Sequence, residues 1–205
     1  MQKKTIVIGV LGVGLLSFVL LQVTMGLAQK KEGSAKERSM VERGKYLVTV
    51  GGCNDCHSPK LFGPQGPMID STRLLSGFPS KTNLPEIPKG VVAPDKWGAL
   101  ASNDFTAWAG PWGVSFTRNL TPDTSTGLGS WTESMFIKAL RTGKDMGEGR
   151  DILPPMPWIN FGQMTDADLK AVFAYLRSLK PLENPVPDPI SPTGERLPTG
   201  VQPKK

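Results

Sequence analysis

The sequence has very few residues that bind transition metals or form disulfide bonds. Its 205 residues include one histidine and two cysteines, and aromatic residues make up only 7%. Glycine and proline are abundant instead, with 23 and 19 copies, together more than a fifth of the chain. This length and composition predict one domain with a small core, few helices and much ordered loop.

The chain also lacks any dense run of basic residues interleaved with aromatic ones. Its formal net charge is +6, but the 24 lysines and arginines are spread along the sequence. A nucleic-acid site needs such residues clustered on one surface, so nucleic acid is excluded as a partner. Arg43, Lys45 and Lys60 are candidates for a salt-sensitive rim that docks an acidic partner, or for ordinary solvated charge.

The first 28 residues have the pattern of an export segment. Lys3 and Lys4 precede an apolar run that extends over residues 6–28, and a polar stretch, 29–38, follows. Gly26 and Ala28 are small residues suited to a cleavage site, but the run is also long enough to span a bilayer. The sequence therefore predicts a protein that works outside the cytoplasm, either released by cleavage or attached to the membrane through residues 6–28.

Both cysteines and the only histidine lie within five consecutive positions, Cys53-Asn54-Asp55-Cys56-His57. On a helical turn, side chains three and four residues apart project to one side. Two thiols so placed can add to the two vinyl groups of one haem, and the imidazole then lies under the iron. The C-x-x-C-H pattern indicates covalent attachment of haem c, with Cys53 and Cys56 as thioethers and His57 as the proximal iron ligand.

Three other uses of these residues are weaker hypotheses. A structural zinc site needs four ligands, and the cluster supplies three. A thioredoxin-like dithiol needs a βαβ context that the neighbouring sequence does not provide. A plain disulfide between the two cysteines remains as an alternative in an exported protein.

The sequence resembles the cytochrome c family over about residues 39–181. Beyond the haem motif, the similar segments are Arg43–Leu47, Asn119–Asp123, Thr126–Gly129 and Leu153–Trp158. They look like the single-haem domains of cytochrome subunits from periplasmic alcohol and sugar dehydrogenases. The resemblance implies an all-α fold of a few helices wrapped around one covalently attached haem. One C-x-x-C-H motif stands here where those subunits often have several, so direct pairing with the same enzymes is in doubt.

Helix-start signals predict three helices without reference to any family. Ser39 begins a capping box ahead of the haem motif, and Ser130 begins a second one ahead of a helix that stops at Gly143. Thr165 begins the last helix, whose apolar positions follow helical spacing as far as Leu176. We expect the first and last helices to cross at Gly44, with Tyr175 against it, because glycine allows close approach.

The segments between and after these helices are rich in turn residues. Residues 58–115 contain many prolines and glycines together with several aromatic residues, which predicts a long ordered loop covering one edge of the haem. Residues 182–205 form a proline-rich tail that we expect to be extended or disordered. The predicted domain organisation is therefore an export segment at 1–28, a polar linker at 29–38, the cytochrome c domain at 39–181 and the tail.

The sixth iron ligand must be a residue other than histidine, because His57 is the only one. Met68, Met146 and Met156 remain as candidates once the other five methionines are assigned to the export segment or to helix packing. Met156 lies in Pro154-Pro155-Met156-Pro157, whose restricted backbone favours a fixed thioether. In the family that the sequence resembles, the axial methionine occupies the corresponding position, which implies Met156. Trp158, Arg118, Asn119 and Arg150 are further candidates for contacts with the haem propionates.

The resulting prediction is an exported cytochrome with one haem c that transfers electrons and catalyses no bond chemistry. Its expected partners are redox proteins: a periplasmic dehydrogenase, a terminal oxidase or a respiratory complex. Two alternatives stay open at this point. One is a dedicated cytochrome subunit of a dehydrogenase complex, and the other is a haem sensor or enzyme whose methionine ligand is labile.

Overall fold

A computed structural model describes residues 5–93 and 95–198. The chain divides into two compact units, residues 1–39 and 40–205. The first helix, α1, covers Thr5–Val50, so residues 29–38 are helical and Ser39 lies inside the helix. The predicted helix start at Ser39 is wrong, because its hydroxyl donates to the carbonyl of Lys36 rather than capping a new helix. Lys3 and Lys4 lie outside the described residues.

Four further helices belong to the second unit. They are α2 (Cys53–His57), α3 (Glu133–Thr142), α4 (Trp158–Phe161) and α5 (Asp166–Ser178). Short 3₁₀ turns lie at Ser71–Arg73 and Asp145–Gly147. Among the described residues, we find no helix with the length and apolarity that a membrane span requires.

The caps of α3 and α5 explain where these helices begin and end. Thr165 accepts a hydrogen bond from the Asp168 backbone N–H, which confirms the predicted start of α5. The N-cap of α3 is Thr132, two residues later than predicted, and it accepts from the Met135 N–H. Gly143 ends α3 with a φ of 67°, the left-handed conformation that glycine adopts without strain.

Helices α3 and α5 and the last turns of α1 enclose the apolar core of the second unit. The predicted inward positions of α5 are buried, with Leu169 0% and Leu176 2% exposed. Phe136 of α3 stacks on Phe173 of α5 with ring centroids 5.2 Å apart. Gly44 faces α5, and a β-carbon on it would lie 2.8 Å from the Tyr175 Cβ. The predicted helix crossing is therefore confirmed.

The region after the haem motif contains two small antiparallel sheets, so the all-α expectation is incomplete. Strands β1 (Lys60–Gly63) and β2 (Gly66–Ile69) form a hairpin. A second sheet contains β3 (Leu100–Ala101), β4 (Ala107–Gly110) and β5 (Gly113–Phe116), in the order β3-β4-β5. Each strand has only two to four residues, and Gly63, Gly66, Gly110 and Gly113 occupy strand ends, so no alternating pattern marked the strands in the sequence.

The segment that follows α5 is held to the second unit by side-chain hydrogen bonds. Asn184 is 4% exposed, and its amide nitrogen donates to the carbonyls of Ser76 and Phe78 at 2.6 and 2.8 Å. The Asn184 N–H donates to the Thr126 hydroxyl. Ile190 pairs with Val114 of β5 through two backbone hydrogen bonds. Residues 182–198 thus tie the loop region to the rest of the unit.

Candidate functional site

One large, mostly apolar cavity lies at the centre of the second unit. Its volume is about 350 Å³, within the range of pockets that hold small molecules and cofactors. The walls come from the end of α1, from α3 and α5, from the second sheet and from the proline segment before α4. All four predicted site residues line it: Cys53, Cys56, His57 and Met156. Trp108 of the predicted covering loop and Phe116, which directly follows that loop, also line it.

Helix α2 places both thiols on the cavity wall. Gly52 precedes it with a φ of 66°, a turn that separates α2 from α1 and that a β-carbon would strain. Cys53 and Cys56 are free thiols, and both are partly exposed. Burial raises the pKa of Cys53 to about 11 and also raises the pKa of Cys56. Both groups are therefore protonated at neutral pH and are not paired with each other.

His57 is buried and its ring orientation is set by one hydrogen bond. Its Nδ1 donates to the backbone carbonyl of Arg118 at 2.8 Å, which leaves Nε2 as the nitrogen with a free lone pair. Burial lowers the pKa of His57 below its usual value, although the bond to the carbonyl opposes this effect. The imidazole is therefore neutral at pH 7, and a neutral ring held at Nδ1 is typical of a metal-ligating histidine.

Two methionine side chains line the cavity, and one of them was not predicted. Met156 lies where the proline segment passes the cavity, and Met164 lies directly before the N-cap of α5. The sequence analysis assigned Met164 to helix packing and did not predict that it lines the cavity. Met146 lines a neighbouring cavity of about 180 Å³ instead. Met68 is 52% exposed on β2, whereas Met146, Met156 and Met164 are partly buried.

A partly buried cluster of charged residues lines the cavity. Arg118 is ion-paired with Asp145, and its guanidinium lies 4.9 Å from the centre of the Trp131 ring. Asp145 is 4% exposed, and Arg150 lines both cavities. The Nε atoms of both arginines and Oδ2 of Asp145 have no hydrogen-bond partner within the described chain. The cluster has one net positive charge and two free N–H donors, which suits an anionic group.

Two of the four propionate candidates do not line this cavity. The side-chain amide of Asn119 donates to the Thr126 hydroxyl and to the Leu182 carbonyl. Its role is therefore to hold these two segments together. The Trp158 ring lies against Gly143, where a β-carbon would be 2.4 Å from its Cε2. Trp131, which the sequence interpretation did not single out, lines both cavities.

The three basic residues of the predicted docking rim differ in their surroundings. Arg43 forms an ion pair with Asp168 at 3.0 Å. The Lys60 ammonium donates to the backbone carbonyls of Asn54, Asp55 and Ser58, and burial lowers its pKa. Lys60 therefore fixes the loop that leaves α2, and of the three only the exposed Lys45 is left as a candidate for docking.

A comparison with known protein families gives a match to cytochrome c over residues 41–180. This range contains every residue of the cavity wall except Pro189, and it includes α2 and Met156. It covers about two thirds of the chain. The match therefore concerns the same part of the molecule as the site.

Comparison with individual proteins gives relatives that are cytochrome subunits of dehydrogenases. The chain is 36% identical over 190 residues to the alcohol dehydrogenase (quinone) cytochrome c subunit of Gluconacetobacter polyoxogenes, covering 90% of this chain and 31% of that protein. It is 35% identical over 155 residues to the fructose dehydrogenase cytochrome subunit of Gluconobacter japonicus, covering 75% and 24%. It is 28% identical over 152 residues to the gluconate 2-dehydrogenase cytochrome c subunit of Pantoea cypripedii, covering 74% and 26%. The chain thus spans less than a third of the length of each of these relatives.

Proposed function

Because this chain belongs to the cytochrome c family, a family that implies covalently bound haem c, we propose that it transfers electrons through one such haem. Cys53 and Cys56 would hold the haem through two thioether bonds, and His57 and Met156 would ligate its iron. The observation that supports this best is the convergence of all four side chains on the wall of one apolar cavity.

The residues of the cavity fit this cofactor in chemical terms. The thiols are unpaired, as addition to vinyl groups requires, and the imidazole is neutral. The apolar walls suit a porphyrin ring. The free Nε–H groups of Arg118 and Arg150 suit its carboxylates, which would satisfy donors that are otherwise buried without partners.

Each part of the chain has a separate role in this proposal. The carbonyl of Arg118 holds the His57 ring in one tautomer and increases the basicity of Nε2. The prolines on both sides of Met156 restrict its backbone, so the thioether loses little conformational entropy when it binds iron. Trp108, Phe116 and the core residues around them keep water away from the site. When bound, haem supplies an iron that accepts and releases one electron.

The proposed protein is an electron carrier rather than an enzyme. With His57 and Met156 both bound to it, the iron would offer no position to a substrate, and methionine would raise the reduction potential of the haem. This distinguishes the proposal from a haem sensor or enzyme with a labile methionine, for which the reduced iron would bind carbon monoxide rapidly.

We place the carrier outside the cytoplasm, exported by residues 1–28. Support comes from the sequence pattern of that segment and from the restriction of cysteine to the haem motif, which leaves no other thiol to mispair in an oxidising compartment. Cell fractionation decides between a cleaved signal and an anchor at residues 6–28: a cleaved protein is released with the soluble fraction and lacks the first 28 residues.

The proposed partners are redox proteins, and a dehydrogenase is the one that the comparisons favour. Each relative described above is named as a cytochrome subunit of a dehydrogenase. We propose that this chain likewise accepts electrons from a catalytic dehydrogenase chain and passes them to an oxidase or another respiratory component.

Absorption spectra of the oxidised and reduced protein, together with its intact mass, test the proposal. We expect low-spin spectra in both oxidation states and a mass that exceeds the polypeptide by one haem. A product whose two cysteines form a disulfide, or whose mass shows no tetrapyrrole, would contradict it. A high-spin reduced spectrum would favour the labile methionine instead.

A further inference from the structure

The hairpin that follows the haem motif exposes apolar side chains on both of its faces. Leu61 and Met68 are cross-strand partners on one face, and they are 56% and 52% exposed. Phe62 and Ile69 belong to the opposite face and are 55% and 41% exposed. Antiparallel sheets ordinarily keep one apolar face against a core. We call the four residues Leu61, Phe62, Met68 and Ile69 the hairpin surface.

No third strand pairs with this hairpin in the described chain. Strands β1 and β2 pair only with each other. A two-stranded hairpin in water is marginally stable, and an unpaired apolar strand invites contact with another protein. The exposed residues are therefore unexplained by the fold of this chain alone.

The base of the hairpin, in contrast, is firmly attached to the haem motif. The Asp70 N–H donates to the Pro59 carbonyl at 2.9 Å and closes the hairpin. Lys60, the first residue of β1, donates to the carbonyls of Asn54 and Asp55 in α2. A protein bound to the hairpin surface would consequently sit beside α2.

The charge of the surface restricts the kind of partner. Residues 61–69 contain no charged side chain, and the only charged residue of the hairpin, Lys60, is engaged with backbone carbonyls. An apolar, uncharged surface complements a partner that is also apolar there, and the contact would be insensitive to salt. Transient carriers commonly use charged rims, whereas lasting complexes bury apolar surface.

We propose that the hairpin surface is the docking site for the catalytic chain of a dehydrogenase, which holds this cytochrome in a lasting complex. The proposal rests on the electron-transfer function proposed above. It is supported by the position of the hairpin beside the haem motif, by its lack of charge, and by the occurrence of relatives named as dehydrogenase subunits. It also replaces Arg43 and Lys60 as docking residues, because both are engaged within the chain.

The test is purification of the tagged, haem-containing chain from its native host in about 1 M salt, where charge contacts are screened beyond about 3 Å. We expect a dehydrogenase chain, identified by mass and by substrate-dependent reduction of the haem, to co-purify. Leu61→Ser/Phe62→Ser should weaken its binding at least about tenfold. Trp97→Ser is the matched control, because Trp97 is 68% exposed outside the hairpin, and it should leave binding unchanged.

Spectra and haem content of each variant separate the two proposals. If the hairpin variant keeps its haem and its low-spin spectrum but loses the dehydrogenase, both proposals stand. If the wild type has no haem, the proposed function fails. The docking proposal alone fails if the haem-containing wild type retains no dehydrogenase, if the hairpin variant binds it as well as the control does, or if only second copies of this chain or lipid vesicles bind the hairpin.

Discussion

Gly44 of α1 lies so close to Ala171 of α5 that a β-carbon on Gly44 would be 1.9 Å from the Ala171 carbonyl oxygen. A contact this short is impossible, and the obstacle is backbone, which cannot rotate away as a side chain can. Gly44→Ala should therefore separate the two helices and destabilise the protein by about 3 kcal/mol, at the upper end of typical overpacking costs. Denaturant unfolding of the haem-containing protein measures this loss.

Gly33→Ala is the control for this substitution. Gly33 lies in the same helix, and a β-carbon there meets no atom within 4 Å. Since alanine favours helix by about 1 kcal/mol relative to glycine, this variant should be neutral or slightly stabilised. If Gly44→Ala is as stable as Gly33→Ala, the helix crossing does not require glycine at position 44.

Replacing Met156 should change the spin state of the iron. Met156→Ala removes the proposed axial thioether, so we expect a high-spin spectrum and a reduction potential lower by tenths of a volt, within the about 0.8 V range that axial ligands cover. Absorption spectroscopy and redox titration give both quantities.

Met164→Leu provides the comparison, because Met164 lines the same cavity and leucine conserves its volume. Its spectrum should stay low-spin. If Met164→Leu becomes high-spin while Met156→Ala does not, the axial assignment belongs to Met164.

Asp145 and Arg150 should shift the reduction potential in opposite directions. The negative charge of buried Asp145 stabilises the ferric state, so Asp145→Asn should raise the potential. The positive charge of Arg150 has the opposite effect, so Arg150→Gln should lower it. Redox titration at one pH and one ionic strength measures both shifts.

Glu148→Gln is a suitable control for the charge change, because the Glu148 side chain is 79% exposed and its charge is screened by water. It should leave the potential nearly unchanged. Shifts of the same sign for Asp145→Asn and Arg150→Gln would indicate a general loosening of the site and would contradict an electrostatic role.

Acid should weaken the loop that precedes α3 through Asp123. Its carboxylate accepts hydrogen bonds from the Thr126 hydroxyl and from the N–H groups of Thr126 and Ser125, and these hold its pKa below the usual value. Because the pKa is lower in the folded state than the value of about 3.9 in the unfolded chain, the carboxylate stabilises the fold above about pH 4. That stabilisation is lost as the pH falls further.

Urea unfolding of the wild type and of Asp123→Asn, at pH 7 and again at pH 3, measures this contribution. The asparagine variant should be less stable than the wild type at pH 7, and the difference should be smaller at pH 3. A stability difference that is the same at both pH values would mean that the charge of Asp123 has no part in it.

Local patterns predicted the parts of the fold whose causes are local. The N-cap at Thr165, the end of α3 at Gly143 and the apolar face of α5 each depend on neighbouring residues, so the sequence was sufficient for them. The start of α3 was misplaced by two residues because Ser130 and Thr132 are both able to cap a helix. The predicted helix start at Ser39 is wrong because the residues around Ser39 favour helix and nothing interrupts α1 there.

The candidate site also contains residues that local patterns predict and residues whose roles depend on the fold. Cys53, Cys56 and His57 could be proposed from the sequence alone, because their spacing within one helical turn restricts the chemistry open to them. The roles of Lys60 and Met164 became visible only in the fold, since each depends on where other segments pass.

The sequence by itself determined where α5 begins and where α3 ends, and it predicted the haem motif and the export segment, because short-range spacing and capping depend on adjacent residues. Tertiary structure alone decided that the carbonyl of Arg118 holds His57 and that Asp145 reaches Arg118 across 27 positions of the chain. It also decided that the hairpin exposes both faces. A backbone carbonyl is common to every residue, and a missing neighbour leaves no pattern in the sequence, so neither could be predicted without the fold.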